Sequence, residues 1–446
     1  MSLSRFRFRL RARRGGPIHL HLLVVLLVAL GLLGPVLPAA GQETVELSVW
    51  SYLPPDDASV KAYIERFQEQ NPTITVKYTS FPEDDYTDKV RTALSANAPP
   101  DIAIIEDQRW MKAGLVVELS PHFAEWGVDP ADYAPGGMAR ATLPGGGIYG
   151  IGDFLGGNVL FYNKALFDAA GVPYPSETES LTWTQYSDNC RALGTPDRNP
   201  MRAVYGCSVP DWAFNIWSKW SWGEDGKTVL GNLNSDAMVQ AWNLGTALTR
   251  DGFAPSSSIE QSLPAGIRDL FAQGKVAMTW SDFTDVTKYQ ANGIDFGMAP
   301  FVVLDGSESF VDTWTSPWGT FTQAQHPEQA LAFLEFIATD AQTIRAETSA
   351  DPPLSQAVAA ELEWGAGDPV KQQYLAVLQQ GKAQVFYPES FLPTEIFPNT
   401  QRELFRRMTV GGETDAKPLL DEAAAAAQPA LDAAWVEWDA LGQGGS

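Results

Sequence analysis

The chain has 446 residues, enough for two or three structural units, and its 45% apolar and 19% charged residues are typical of a globular protein. Its formal net charge of −23 makes nucleic acid and anionic lipid unfavourable partners. With only two cysteines and four histidines, the chain cannot form a cysteine-rich zinc site and has little material for a histidine-based metal site or catalytic triad.

Residues 1–41 have the composition of a targeting segment. Six arginines precede an apolar run over residues 20–37, and the small residues Ala39 and Gly41 come just before Gln42. This layout predicts a secretory signal peptide that is cleaved before Gln42. Because the apolar run is about as long as a short membrane-spanning helix, an uncleaved anchor is the alternative. Without the six arginines, the 31 basic residues become 25 against 54 acidic ones, a net charge of −29.

After the leader, the chain alternates between strand and helix patterns. Residues 44–50 alternate apolar and polar side chains, and an amphipathic helix follows, with Val60, Tyr63 and Phe67 at helical spacing. A second strand is predicted at 74–78, a second helix follows it, and an apolar third strand is predicted at 101–105. Such alternation predicts parallel strand pairing in an α/β sheet, whose ligands bind at the carboxyl ends of the strands.

The rest of the chain continues this mixture without internal repeats. Gly145, Gly147 and Gly150 match the spacing of a dinucleotide-binding loop, but no strand precedes them, so we expect a flexible connection. Helices are predicted at 164–170, 182–193, 235–249, 326–341 and 416–441, a turn and strand at 274–280, an extended segment at 296–303, and a tryptophan-dense tract at 212–222.

These landmarks resemble, in order and spacing, the family 1 extracellular solute-binding proteins, the class of maltose-binding protein. The segments that carry the resemblance are Val49-Trp50-Ser51, residues 67–76, Pro99-Pro100-Asp101-Ile102, Leu160-Phe161-Tyr162-Asn163-Lys164 and residues 271–278. The resemblance implies a two-lobe periplasmic-binding-protein architecture of type II, in which a ligand is held between the lobes. It also implies delivery of the solute to the membrane permease subunits of an ABC importer.

The resemblance also predicts how the chain divides. Lobe one takes 42–150 and 302–352, and lobe two takes 157–297 and 355–446. Three hinge crossings are expected at 150–157, 298–301 and 352–354.

Sugar binding requires flat aromatic platforms for apolar C–H faces, together with planar polar groups for hydroxyls. Several tryptophans and acids lie at predicted strand ends or in segments that the resemblance places in the cleft. The predicted ligand-binding residues are Trp50, Tyr52, Glu106, Asp107, Asn158, Asp211, Trp212, Trp280, Asp282, Asp312, Trp314, Trp318 and Phe397. Trp217 and Trp220, three residues apart, fit core packing better.

Export makes a disulfide between Cys190 and Cys207 plausible, and two buried free thiols are the alternative. No metal, cofactor or catalytic residue is predicted.

Three functions compete at this stage. The first is a monomeric, exported sugar-binding protein, on the periplasmic or extracellular face of the cytoplasmic membrane, that has no catalytic activity. The second keeps the fold but binds a cationic solute such as a polyamine, which acidic side chains would suit. The third is an exported glycoside hydrolase, which also needs tryptophans and a pair of carboxylates.

Overall fold

The computed structural model describes residues 44–200, 202–209, 221, 223, 226–380 and 398–441. Two β-sheets organise this part of the chain. The first has the strand order β2 (Ile74–Ser80), β1 (Val45–Ser51), β3 (Ile102–Ile104) and β8 (Trp318–Thr320). β1 and β3 are parallel, as the alternating pattern predicts, whereas β8 runs antiparallel to β3. The carboxyl ends of β1 and β3 therefore lie at the same edge of the sheet.

The second sheet is built on β4 (Gly156–Asn163). Its order is β5 (Met278–Ser281), β4, β6 (Phe296–Ala299), and β7 (Asp312–Trp314) pairs with the first residues of β4. All of these pairings with β4 are antiparallel.

The helices surround these sheets, and their patterns explain where they form. The helices of the described ranges are α1 (Ala58–Gln70), α2 (Glu83–Ser95), α3 (Gln108–Lys112), α4 (Ser120–Glu125), α5 (Pro135–Met138), α6 (Lys164–Ala170), α7 (Trp183–Leu193), α8 (Asp236–Arg250), α9 (Ser257–Glu260), α10 (Ile267–Ala272), α11 (Val286–Ala291), α12 (Pro327–Ala338), α13 (Asp340–Thr348), α14 (Gln356–Glu361), α15 (Pro369–Gln380), α16 (Pro398–Thr409) and α17 (Ala416–Ala440). Short 3-10 helices cover Pro130–Asp132, Ala139–Ala141 and Phe283–Asp285. In α1 the predicted stripe of Val60, Tyr63 and Phe67 is buried, and Asp57 caps its first turn by accepting from the backbone N–H groups of Ser59 and Val60.

Two cores of mutually contacting buried side chains hold the sheets and helices together. The first core covers the first sheet and continues onto one face of β4, through Val159 and Phe161. The second core covers the other face of β4, through Leu160 and Tyr162. Because successive side chains of a strand point to opposite faces, residues 159–162 of β4 must be apolar on both faces, which explains the run Val-Leu-Phe-Tyr at these positions.

A disulfide joins Cys190 to Cys207 within the second core, as predicted. It closes a loop with a sequence separation of 17, which corresponds to about 3 kcal/mol of stabilisation in the chain-entropy model.

Three chain segments lie side by side where the two sheets meet. In the first, Ile151 pairs with Trp318 of the first sheet, and Gly156 then begins β4 of the second sheet. Phe154 pairs with Pro353, so the first and third predicted crossings run alongside each other. Gly152 permits close approach here, since a Cβ at this position would lie 1.9 Å from Oγ1 of Thr315.

The second passage between the sheets comes later in the chain than the predicted crossing at 298–301. Met298 and Ala299 belong to β6 of the second sheet, and Phe301 and Leu304 still pack in the second core. β7 pairs with β4 of the second sheet and β8 pairs with β3 of the first, so residues 315–317 connect a strand of one sheet to a strand of the other.

Candidate functional site

The candidate site lies at the carboxyl edge of the first sheet, where it meets the start of β4. Trp50 and Tyr52 come at the end of β1, and Glu106 follows β3. The hydroxyl of Tyr52 shares a hydrogen bond of 2.8 Å with that of Ser316, in the segment between β7 and β8. The edge where open α/β sheets bind ligands is thus in direct contact with the chain that connects the two sheets.

The β4–β7 pair, which we call the ribbon site, supplies an aromatic ring and a polar pair on one face. Gly156 lies opposite Trp314, and Asn158 lies opposite Asp312, so all four residues share a face of the two-stranded ribbon. The half-buried indole of Trp314 lies against Gly156, where a Cβ would come within 2.8 Å of the ring. Only glycine at 156 therefore allows this position of the ring.

The polar half of the ribbon site contains a buried acid that is incompletely satisfied. Asn158 Nδ2 donates to Asp312 Oδ2 at 3.3 Å. Asp312 is only 4% exposed, and its second oxygen, Oδ1, has no hydrogen-bond partner among the described residues. A buried carboxylate oxygen without a donor costs free energy, and a hydroxyl group of a solute would satisfy it.

Burial also controls the protonation of the acids at this edge. It raises the pKa of Asp312 to about 6, although the guanidinium of Arg140 and the amide of Asn158 oppose the shift. Burial likewise raises the pKa of Glu106, and Arg140 again opposes it. Arg140, on the 3-10 helix Ala139–Ala141, therefore acts on acids from both sheets.

The other predicted residues of the first sheet have local roles. Trp50 is half-buried and packs edge-to-face on Phe81, with ring centroids 4.9 Å apart. Asp107 caps α3 and accepts from the guanidinium of Arg109, with the shortest contact 2.7 Å, so both of its oxygens have donors. It is consequently a structural cap, whereas Glu106 beside it is the acid that Arg140 influences.

Two of the predicted cleft tryptophans are core residues in this structure. Trp318 is 1% exposed and packs on Phe333 of α12. Trp280 is 3% exposed, donates its indole N–H to the hydroxyl of Tyr186 at 2.9 Å, and packs against Phe301 with centroids 4.0 Å apart. Residues packed beside the same sheet cover each side chain. The position of a tryptophan at a strand end does not predict such cover.

Asp282 follows β5 and caps the 3-10 helix Phe283–Asp285 by accepting from the backbone N–H of Thr284 at 2.9 Å. Asp211, Trp212 and Phe397 lie outside the described residues, as do Trp217, Trp220 and the leader. The motif Gly145, Gly147 and Gly150 lies in and beside a turn, with Gly145 at φ 110°, and no helix starts there.

A second group of charged residues, the crossing cluster, was not foreseen from the sequence. It comprises Tyr63, Asp153, Arg345 and Asp351, each less than 10% exposed. Arg345 Nη2 donates to Asp351 Oδ2 at 2.9 Å, and its Nε lies 3.8 Å from Asp153 Oδ2, to which Tyr63 also donates. Asp153 lies in the predicted first crossing and Asp351 directly precedes the predicted third, so this cluster joins the two segments that pair through Phe154 and Pro353.

Sequence analysis also missed Arg140 and Ser316. Arg140 lies in a segment without aromatic or acidic neighbours, and Ser316 is one of many serines, so neither carries a local signal. Only the meeting of distant segments identifies them.

Within the described ranges, no three His, Cys, Asp or Glu side chains are grouped so that they could hold a metal ion. In that same part of the chain, no helix combines the length and the apolar character needed to cross a bilayer.

Comparison with known proteins gives relatives that are both named as binding proteins. The mannitol-binding protein of Pseudomonas aeruginosa is 23% identical, over 66% of this chain and 70% of its own length. A putative binding protein of Brucella abortus is 22% identical over 61% of this chain, and the match spans 66% of that relative.

Solved structures share the fold. The sugar-binding protein MalE from Xanthomonas citri superposes with a TM-score of 0.70 and 21% identity, covering 89% of this chain and 100% of that one. An ABC substrate-binding protein of Listeria monocytogenes in complex with cycloalternan gives 0.69 and 20% identity, covering 88% and 99%. The predicted fold class, the two-lobe α/β architecture of type II periplasmic binding proteins, is thereby confirmed. The family model described as bacterial extracellular solute-binding protein matches residues 50–344, and this chain belongs to that family.

Proposed function

We propose that this protein captures a sugar or polyol at the ribbon site and delivers it to the permease of an ABC importer. One observation carries the proposal: the indole of Trp314 and the Asn158–Asp312 pair lie on the same face of one ribbon. An indole stacks on the apolar face of a sugar, while an amide donor and a carboxylate acceptor bind its hydroxyl groups. The names of relatives and neighbours that bind mannitol, mannotriose and tagatose support the same class of solute.

The lobes that would enclose this solute follow the two sheets. Lobe one would contain the first sheet with α1–α5, α12 and α13, and lobe two the second sheet with α6–α11 and α15–α17. The crossings would be residues 150–157, 315–317 and 352–354, with the ribbon site beside the first two. Closure of the lobes would cover the solute from both sides and favour the closed state by its differential affinity.

A cationic solute is the second candidate, and Arg140 argues against it. Its positive charge lowers the pKa of both Glu106 and Asp312 relative to burial alone. A polyamine would have to compete with this guanidinium for the same carboxylates, whereas a neutral hydroxyl compound would not.

Catalysis is not part of the proposed function. Ser48, Asp101 and His326 come together, but Ser48 Oγ donates to Asp101 at 2.8 Å and His326 Nδ1 lies 3.2 Å from the same carboxylate. The acid therefore lies between the hydroxyl and the imidazole, an order that cannot activate the serine as a nucleophile. We expect no new reducing ends when the protein is incubated with mannotriose.

The remaining parts of the proposal concern location and assembly. The family is extracellular, and we propose a secreted monomer that is cleaved before Gln42 and acts at the outer face of the cytoplasmic membrane. Its strongly acidic composition favours a small-molecule solute over nucleic acid.

Calorimetric titration of the secreted protein tests the function. The panel is mannitol, tagatose, mannotriose, cycloalternan and, for the cationic alternative, spermidine. We expect at least one carbohydrate to bind, and Asp312→Asn to weaken it roughly ten- to hundredfold, the scale of a lost hydrogen bond to a charged group. Asp305→Asn, at a solvent-accessible cap away from the ribbon site, is the matched control and should leave the affinity unchanged. Binding of spermidine alone would overturn the proposal.

A further inference from the structure

A lysine of α3, a helix beside the first sheet, lies over the ring of a tryptophan of α17, a helix of the second core. Nζ of Lys112, the last residue of α3, is 4.5 Å from the ring centroid of Trp438 in α17. This distance is within the range of a cation–π contact. Trp438 is 4% exposed, so the ammonium covers a ring that is otherwise embedded in the second core.

Lys112 and Trp438 belong to helices that pack around different sheets. α3 follows β3, and its Trp110 packs edge-to-face on Phe321, next to β8, with centroids 6.3 Å apart. α17 instead contacts α8 and α16, and α8 packs on α7, whose Trp183 and Tyr186 lie against Trp280 of β5. The contact between Lys112 and Trp438 therefore joins the first sheet to the second.

A neighbouring side chain makes the same connection. Leu143 is partly buried and packs against both cores. Gln108, at the start of α3, donates to the backbone carbonyls of Ala139 and Thr142 at 3.4 and 3.3 Å, so α3 and the Leu143 segment are neighbours. Lys112 and Leu143 lie on the first-sheet side and each contacts the second core, and we call these two side chains the contact surface.

This surface lies on none of the three segments by which the chain passes between the sheets. A contact within those segments is retained when they bend. α3 instead starts at the carboxyl edge of the first sheet, where the candidate site lies, so opening the sheets at this edge would separate Lys112 from α17. Its free energy is therefore added to the closed state only.

We propose that Lys112 is a positioning residue, which holds α17 against the first sheet while Leu143 packs on the second core, and so raises the closed fraction of the empty protein. The proposal rests on the proposed function in one respect: the closed state is the one that holds the solute. The apparent dissociation constant is the intrinsic one divided by the closed fraction, so the contact strengthens solute binding without touching the solute. The usual strength of an exposed cation–π contact corresponds to about a two- to fivefold change in such an equilibrium.

Small-angle scattering of the empty protein tests the proposal without any solute. Lys112→Met keeps the length of the side chain and removes its charge, and we expect it to increase the radius of gyration. Leu143→Ala should change it in the same direction. Lys227→Met is the matched control, since Nζ of Lys227 lies 4.6 Å from the ring of Trp435, also in α17, within the second-core assembly. This variant should keep the wild-type radius.

Unfolding and binding complete the test. If Lys112→Met and Lys227→Met lower the melting temperature equally and leave the radius of gyration unchanged, the contact only stabilises the fold and the proposal is overturned. Titration with mannotriose should show weakening of up to about fivefold in Lys112→Met and none in Lys227→Met. If the wild-type protein does not bind mannotriose, that sugar is not the solute. The radius of gyration of Lys112→Met would still decide the role of Lys112.

Discussion

The crossing cluster contains Arg345, and Arg140 acts through its charge on Asp312 of the ribbon site, so both have a buried aspartate near an arginine, yet their surroundings differ. In the crossing cluster, Arg345 bonds directly to Asp351 and lies 4.5 Å from the ring centroid of Phe154. Asp153 keeps one oxygen without a hydrogen bond, but the guanidinium 3.8 Å from its other oxygen balances its charge. In the ribbon site, Asp312 accepts a hydrogen bond from the neutral amide of Asn158, its other oxygen has no donor among the described residues, and a half-buried indole lies beside it.

This difference distinguishes a structural group from the proposed binding group. In the crossing cluster, a buried guanidinium compensates the charge of two buried carboxylates, and removing it would leave them without their positive partner. A buried acid with an unpaired oxygen beside an aromatic platform destabilises the empty protein and offers a place for a hydroxyl group. Residue type alone does not distinguish the two groups, because each has a buried aspartate that is influenced by an arginine.

The largest expected effect comes from breaking the crossing cluster. Arg345→Met leaves Asp153 and Asp351 buried without their positive partner, and we expect a loss of about 3–5 kcal/mol in the free energy of unfolding. Chemical denaturation measures it. Arg66→Met, which removes an exposed pair with Glu69, is the control and should cost less than about 1 kcal/mol. Equal stability of the two variants would show that the crossing cluster is not structural.

Two tryptophan variants test whether the ribbon site binds solute while a core tryptophan only stabilises the fold. Trp280→Ala removes a core side chain and should cost about 3–5 kcal/mol of stability. Trp314→Ala should cost little stability but weaken carbohydrate binding by about 1–3 kcal/mol, the scale for an aromatic contact at a binding site. Thermal unfolding and calorimetric titration of both variants give the two readouts. The reverse pattern would place the binding face on β5 rather than on β7.

The smallest expected effect is a pH dependence. The pKa of Asp312 is raised from 3.8 in the unfolded chain to about 6 in the fold, so the unfolded state ionises first as the pH rises. Stability is therefore lost between about pH 4 and pH 6, up to about 3 kcal/mol for a shift of this size. Because Asp312→Asn cannot ionise, its stability advantage over the wild type should grow across this window and stay constant above it.

Asp305→Asn provides the control of opposite sign. Burial alone would raise the pKa of Asp305, but hydrogen bonds from Thr184 outweigh it and lower the pKa below 3.8. Its contribution is present at neutral pH and is lost as the pH falls, so Asp305→Asn should be less stable than the wild type at pH 7 and approach it in acid. A flat difference between wild type and Asp312→Asn across pH 4–7 would contradict the ionisation assigned to Asp312.

The sequence alone determined the features that depend on local periodicity and composition. The stripe of Val60, Tyr63 and Phe67 has one face to bury, and an apolar β3 must be covered on both sides, so their environments follow from the pattern. Two cysteines in an exported chain have only each other as partners, and the disulfide formed as predicted. The order of short motifs was enough to identify the family.

Only the tertiary structure decided which side chains form the candidate site. Trp280, Trp314 and Trp318 all lie at or in short strands, but whether an indole is covered depends on the strands and helices that pack on it, which come from distant parts of the chain. Arg140 reaches Glu106 and Asp312 only because the segment that follows β3 meets the β4–β7 ribbon. For the same reason, the pairing of β7 with β4 could not be predicted, since it depends on contacts that no local pattern encodes.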